Sequence, residues 1–180
     1  MDPLLRDATK DDLPQIVDIM NYYIKNTTIS LRTEVIQVPT YVGTFDAVRE
    51  QRLPFFVAEK GGKVVGFTYA MGFRMPAYQG YCHTAEITIY LHPKYQNRGV
   101  GSKLMNALMD ALKHPRKPDA PTIKQVLSIM TLNEDGPGKG YGLRDWYGRW
   151  GFIQVGHLKK VGFKQEKWLD VLITQASLEE

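Results

Sequence analysis

The chain has 180 residues, 43% hydrophobic and 23% charged, a globular composition with enough apolar residues for a full core. A single cysteine, Cys82, excludes an internal disulfide framework and suits a reducing cytoplasm, while a net charge of +4 would suit an anionic cofactor as well as a nucleic acid. No apolar run approaches the roughly 20 residues that cross a membrane, and the N-terminus lacks the basic-then-apolar order of a signal peptide.

In chain order, Leu4 to Thr9 reads as a short strand, and Thr9 or Asp11 caps a helix whose apolar positions are Leu13, Ile16, Val17, Ile19, Met20, Tyr23 and Ile24. Thr27 to Glu34 is polar and β-branched, a loop or short extended piece. A second helix is predicted over Thr44 to Arg52, with Thr44 as its cap. Phe55 to Glu59 and Lys63 to Tyr69 are strands joined by a tight Gly61-Gly62 turn. Gly72 to His83 reads as a loop rich in Tyr, Arg and Pro. Ala85 to Leu91 alternates Ile87, Ile89 and Leu91 with Glu86, Thr88 and Tyr90, which is strand periodicity.

The stretch Gln96-Asn97-Arg98-Gly99-Val100-Gly101 follows, and then Leu104, Met105, Leu108, Ala111 and Leu112 recur at helical spacing until Pro115. The unit is strand, glycine-bearing turn, helix. Two glycines free the backbone to approach a ligand, and the first N–H groups of the helix suit a phosphate. The turn is neither a P-loop, since no G-x-x-x-x-G-K-[ST] occurs, nor a dinucleotide fingerprint, since Leu104 stands where the third glycine would fall. Beyond it, three prolines mark Lys113 to Lys124 as a connector. Gln125 to Leu132 is a strand, and Asn133 to Gly142, with four glycines, reads as a flexible insertion. Leu143 to Trp150 is a short helix ended by Gly151, and Phe152 to Val161 and Trp168 to Thr174 are closing strands. Mostly antiparallel strands with interposed helices predict an α+β sandwich.

The central turn fits Q-x-x-G-x-G, the pyrophosphate loop that the chain shares in resemblance with the GNAT acetyltransferase superfamily. Ala8-Thr9, Asp12-Leu13-Pro14, Asn21-Tyr22-Tyr23-Ile24 and Arg32-Thr33-Glu34 resemble the N-terminal block of the phosphinothricin N-acetyltransferase branch. Gly162-Phe163-Lys164 with Trp168 and Asp170 resembles its C-terminal block. The resemblance covers nearly the whole chain and implies one GNAT domain over residues 1–180, with a mixed, mostly antiparallel sheet splayed at its centre and acetyl-CoA lying in the gap. It implies that backbone groups of Ile89, Tyr90 and Leu91 pair with pantetheine. Gln96, Asn97, Arg98, Gly99, Val100, Gly101 and Ser102 would hold the pyrophosphate, and Asn133 would meet the pantetheine. Family members are commonly homodimers, so a dimer is expected.

Acetyl transfer from a thioester to an amine needs a base for the amine, dipoles for the thioester oxygen and a proton for the departing thiolate. Glu86 matches the family's catalytic glutamate, and burial on a splayed strand would raise its pKa. Without that match its pattern would fit a surface strand glutamate. A backbone N–H near Tyr90 or Leu91 would polarise the carbonyl. Tyr147, four residues before Gly151, stands where many GNAT enzymes carry a tyrosine near the coenzyme sulfur; packing beside Trp146 and Trp150 is its alternative role. The phosphinothricin branch often has histidine there.

For an amino-acid acceptor, Arg74 offers a guanidinium for the carboxylate, with Tyr78 or Tyr81 beside it. The family spacing to the glutamate suits Tyr81, while Pro76-Ala77-Tyr78 matches the local family text. The resemblance implies a substrate-site position for Leu31, which stands where the phosphinothricin branch has an aromatic before Arg32. Adjacent Cys82 and His83 point to opposite strand faces and cannot act as nucleophile and base. The four histidines lack ligand spacing, so no metal is expected, and no aromatic-interleaved basic motif suggests nucleic acid. The expected activity is acetylation of a small amino acid or analogue by direct transfer. Alternatives are another amine, such as a polyamine, an aminoglycoside or a peptide terminus, or a catalytically silent acyl-CoA-binding domain.

Overall fold

The computed structural model describes residues 2–134 and 136–179. Seven strands form one sheet: β1 (Leu4–Asp7), β2 (Phe55–Lys60), β3 (Lys63–Gly72), β4 (Thr84–Leu91), β5 (Gln125–Thr131), β6 (Ile153–Lys164) and β7 (Lys167–Ser177). Their order is β1-β2-β3-β4-β5-β7-β6, antiparallel at every junction except the parallel β4–β5 pair. Four helices accompany it: α1 (Leu13–Asn26), α2 (Val38–Glu50), α3 (Val100–Lys113) and α4 (Gly142–Tyr147). The expected mixed, mostly antiparallel α+β sandwich is what forms.

α1 buries all seven apolar residues read from its 3.6-residue period. Thr9 caps a preceding 3-10 turn over Lys10–Asp12 in a capping box with Asp12, so the chain enters α1 from there. α2 starts six residues before the predicted Thr44. Gln37 caps it and Pro39 sits in its first turn, where a missing N–H costs nothing. Its short apolar set of Tyr41, Phe45 and Val48 hid the first turn from a periodicity reading.

Phe45 of α2 meets Phe55, which packs on Tyr69 and, further off, on Phe67, so one sheet face is an aromatic layer under α1 and α2. On the other face, Val100, Leu104 and Ala111 of α3 close over Phe56, Ala58 and Val65. Each such side chain, fully buried, contributes about 1.5–3 kcal/mol. Gly61 and Gly62 both take positive φ, as a two-residue β2–β3 turn requires.

The described residues between Asn133 and Gly142, which read from sequence as a flexible insertion, fold back over the Asn133 carbonyl. Gly136 N–H bonds to the Asn133 carbonyl (2.8 Å), and the turn over Pro137–Gly140 that follows carries Gly138 and Lys139 at positive φ. A Cβ on Gly140 would lie 2.7 Å from that same carbonyl oxygen, which explains glycine there. The final hairpin is longer than predicted, reaching Lys164 and Ser177, and leaves Ile153, Val155, Val161, Phe163 and Trp168 exposed. Among the described residues no helix is long and apolar enough to cross a membrane.

Candidate active site

The site begins where the sheet comes apart. β4 and β5 share three rungs, Thr84–Gln125, Ala85–Val126 and Glu86–Leu127, and then separate. β5 turns away with β7, to which it stays paired through Thr131–Val171, while β4 stays on β3 to Leu91. From Ile87 onward the outer edge of β4 therefore faces a gap. The hydrogen bonds Phe73 N–H to Thr84 O and His92 N–H to Val65 O fix which residues face β3. By antiparallel alternation the even-numbered residues bond to β3, and Ile87, Ile89 and Leu91 direct their N–H and C=O groups into the gap. This corrects one expectation: the backbone of Tyr90 is turned to β3, and Ile87 takes its place among the gap-facing residues.

A buried tyrosine closes the end of that edge. The Tyr23 hydroxyl donates to the Leu91 carbonyl (2.6 Å) and accepts from Gln96 Nε2 (2.7 Å). Leu91 is left with its N–H for a ligand. The Gln96 side chain, expected at the pyrophosphate, instead ties the loop to α1.

Gly99 caps α3 at φ +78°, a conformation that strains any other residue, and nothing lies within 4 Å of where its Cβ would be. Asn97 also takes positive φ, and the Arg98 guanidinium lies over the Tyr95 ring. Lys103 N–H bonds to Gly99 O (3.1 Å), so the N–H groups of Val100, Gly101 and Ser102 have no partner within the helix. They present donors and the positive end of a 14-residue helix dipole beside the gap. Gly101 lies against Leu91 and Trp146, each 3.4 Å from its would-be Cβ.

Glu86 stands at the last β4–β5 rung, half-buried, on one strand face with Thr88 and Tyr90. Among the described residues its carboxylate has neither hydrogen bond nor ion pair, and burial raises its pKa above the ordinary glutamate value. Tyr147 is 4% exposed, with its ring against Trp146 and Phe152. Burial, offset in part by the nearby Ser128 side chain, leaves its hydroxyl pushed up to about 12. Tyr147 thus packs and also carries a proton at any working pH.

Arg74, Tyr78 and Tyr81 form one cluster. The Arg74 guanidinium lies 4.5 Å from the Tyr78 ring centroid, and Tyr81 meets Tyr78 and Phe73 edge-on. Leu31 lies elsewhere, against Gly162 of β6, where a Cβ would come within 2.7 Å of it. Asn133 follows β5 on the far side of the gap, its backbone enclosed by the glycine wrap. Cys82 is exposed, and His83 is spent on the Thr122 carbonyl (2.7 Å). No group of three or more His, Cys, Asp or Glu among the described residues could hold a metal.

The residues read from the sequence missed Tyr23, Ser30, Tyr41, Tyr69 and Lys164. Tyr23 and Lys164 lay inside the resembling blocks, but only the packing gives them partners. Tyr69 pairs with Thr88 and so shares the Glu86 face, and the Tyr41 hydroxyl is buried with no hydrogen-bond partner among the described residues.

A splayed β4–β5 junction, a glycine-bearing helix N-terminus beside it and a half-buried carboxylate on the splayed strand define an acyl-CoA-dependent transferase. The acetyltransferase (GNAT) family model matches residues 17–120, more than half the chain, and the chain belongs to that family. It is 31% identical over 175 residues to a phosphinothricin N-acetyltransferase of Alcaligenes faecalis, covering 97% of this chain and 82% of that one. It is 29% identical over 181 residues to an L-methionine sulfoximine/L-methionine sulfone acetyltransferase of Pseudomonas paraeruginosa, covering 99% and 96%. A phosphinothricin acetyltransferase from Sinorhizobium meliloti, solved with acetyl-CoA, superposes at a TM-score of 0.86 with 25% identity, covering 100% of this chain and 90% of that one. The protein is an acetyl-CoA-dependent N-acetyltransferase.

Proposed function

We propose that this enzyme acetylates the α-amino group of a small amino acid or analogue, of the phosphinothricin, methionine sulfoximine or methionine sulfone type, by direct transfer in a ternary complex. The observation that carries the reading is Glu86: a half-buried, unpartnered carboxylate with a raised pKa, at the point where the sheet opens. Acetyl-CoA, when bound, supplies the thioester carbonyl. The N–H groups of Val100, Gly101 and Ser102, with Asn97 to Gly99, hold the pyrophosphate; gap-facing groups of Ile89 and Leu91 align the pantetheine, and Asn133 meets it from across the gap. Glu86 takes the proton from the acceptor ammonium, directly or through one water, because a raised pKa makes it a better base near neutral pH. A gap-facing backbone N–H of β4 nearer to Glu86 polarises the carbonyl oxygen. Tyr147, protonated throughout, gives its proton to the departing thiolate. Arg74, flanked by Tyr78 and Tyr81, receives the acceptor's α-carboxylate.

We read the chain as one domain over residues 1–180 that works as a homodimer in the cytoplasm. The exposed apolar side chains Ile153, Val155, Val161, Phe163 and Trp168 on the β6–β7 hairpin support the dimer, which light scattering would test. The activity is tested by acetyl-CoA-dependent thiol release with methionine sulfoximine, methionine sulfone, phosphinothricin, the standard amino acids, spermidine and an aminoglycoside. Turnover of an amino-acid analogue is expected. Turnover of spermidine or the aminoglycoside alone, or silence with acetyl-CoA still bound, would reject the assignment.

A further inference from the structure

Beyond the Glu86–Leu127 rung the sheet has two arms, β1-β2-β3-β4 and β5-β7-β6. β4 runs on to Leu91 and β5 to Thr131, so the arms end about 13–17 Å of strand from their last shared rung. At those ends one hydrogen-bonded strap, made by the end of α1 and the residues after it, joins them. On the β4 side the Tyr23 hydroxyl donates to Leu91 O (2.6 Å). The Tyr23 carbonyl accepts from Thr27 N–H (3.1 Å) and Thr27 Oγ1 (2.8 Å), and Thr27 Oγ1 accepts from Ile29 N–H (3.2 Å). On the other side Thr131 Oγ1 of β5 donates to Ile29 O (3.2 Å), and Lys164 Nζ of β6 donates to Ser30 O (2.6 Å). Leu31, next in the strap, fills the space where Gly162 of β6 lacks a side chain. Gly162 and Lys164 share one buried face of β6, while Phe163 between them points to solvent. On the opposite face of the sheet Trp150 Nε1 donates to Asn106 Oδ1 of α3 (2.8 Å), but that bond is exposed to water.

We propose that Lys164 and Thr131 are positioning residues for acetyl-CoA, which act through this strap by holding the two arms at the separation that the cofactor needs. This rests on acetyl-CoA lying in the β4–β5 gap, as read above. The three shared rungs form a hinge, and rotation about a hinge displaces the far ends most. The arms' own ladders do not oppose that rotation, because β4 stays on β3 and β5 stays on β7 at any opening. A tie at the far end does oppose it. A pantetheine arm that meets Ile89 and Leu91 on one side and Asn133 on the other needs both sides in place, and a gap left free would have to be ordered on binding, at a cost in affinity. A buried ammonium on a carbonyl is stronger than a bond between neutral groups, so Lys164, 6% exposed, is the main tie and Thr131 the lesser one. The pair Gly162 and Lys164 thereby gains a task, one making room for the strap and the other anchoring it.

The test is acetyl-CoA titration calorimetry on the full chain, with no acceptor present. Lys164→Met and Thr131→Val should each weaken binding, by about 3- to 10-fold for the lysine and less for the threonine, as loss of one hydrogen bond that preorganises a site does. Thr131→Ser keeps the hydroxyl and should bind as the wild type does, and this threonine pair decides the matter if Lys164→Met does not fold. Tyr23→Phe frees the strap at its other end. Combined with Lys164→Met or with Thr131→Val it should cost less than the product of the two single losses, because a strap released at one end ties nothing at the other. Independent effects at separated sites would multiply. Full multiplication would overturn the proposal, as would wild-type affinity in both Lys164→Met and Thr131→Val while Tyr23→Phe binds weakly. If Tyr23→Phe also binds as the wild type does, the gap reading itself fails and takes this inference with it.

Discussion

Removing one oxygen atom, in Tyr23→Phe, should loosen the Leu91 end of the cofactor gap and the loop beside it. The Tyr23 ring is buried and packs on Tyr90 (5.2 Å between centroids) and Tyr22 (5.4 Å), contacts that phenylalanine keeps. What goes is the hydroxyl, with one bond given to Leu91 O (2.6 Å) and one taken from Gln96 (2.7 Å). Two hydrogen bonds at a net value near 1 kcal/mol each give about 2 kcal/mol. The stranded Leu91 carbonyl adds little more, because water can reach it from the gap. In a protein of this size about 2 kcal/mol lowers Tm by roughly 4–8 °C. Gln96 loses its anchor at the same time, so acetyl-CoA should bind several-fold more weakly. Thermal unfolding and acetyl-CoA titration calorimetry measure both, with Tyr22→Phe, on an exposed ring, as the control that should change neither. A Tyr23→Phe protein melting within about 1 °C of the wild type, with unaltered acetyl-CoA affinity, would refute the role given to this hydroxyl.

Glu86→Gln should lower kcat by about 10²–10⁴-fold while sparing acetyl-CoA binding, and should erase the acidic limb of the kcat/KM profile, which in the wild type lies above the ordinary glutamate pKa. Its stability effect has the opposite sign. A folded pKa raised by burial contributes stability that is present below the unfolded pKa and lost as pH rises through the folded one, so Glu86→Gln should melt higher than wild type at neutral pH and lose that advantage in acid. Tyr147→Phe should cut kcat by about 100-fold if the hydroxyl protonates the thiolate, and with its pKa near 12 the wild-type profile should show no alkaline fall from this group through pH 10. Unchanged turnover would leave Tyr147 a packing residue. Asp12 is held in the core by Arg6 at 2.7 and 2.8 Å and by Thr9 N–H at 2.8 Å; burial pushes its pKa up, but these bonds bring it below the ordinary value. Its contribution is present above the unfolded pKa and lost as pH falls through the folded one, and Arg6→Met should remove about 2 kcal/mol at pH 7, a figure discounted for the partial exposure of Arg6. Denaturant titrations at pH 7 and pH 3 would check this, since the difference between the two proteins should shrink in acid.

Local chemistry wrote most of the fold in plain view. The 3.6-residue periods of α1 and α3, the Gly61-Gly62 turn and the alternation along β4 each depend on neighbours within one element, so a linear reading recovers them. α2 began early because its first turn rests on Pro39 and Gln37 rather than on an apolar stripe. The wrap over Asn133 looked loose because glycines signal freedom in a sequence, whereas here Gly140 is small to let the Asn133 carbonyl approach.

The site divides in the same way. Gly99, Val100, Gly101 and Ser102 were legible because a helix N-terminus after a glycine turn is a phosphate site by its backbone alone, and Glu86 was legible because the family motif marks its place on a strand. Which backbone groups face the gap was not, because only the register of β3 on β4 assigns Tyr90 inward and Ile87 outward. Nor could the sequence show that Gln96 turns to Tyr23, 73 positions away, or that Lys164 holds Ser30 across 134. Hydrophobic period and turn chemistry are properties of a few consecutive residues. A hydrogen bond between distant residues exists only once the sheet has brought them to bonding distance, and in this protein such bonds shape both the edge of the β4–β5 gap and the loop between α1 and α2.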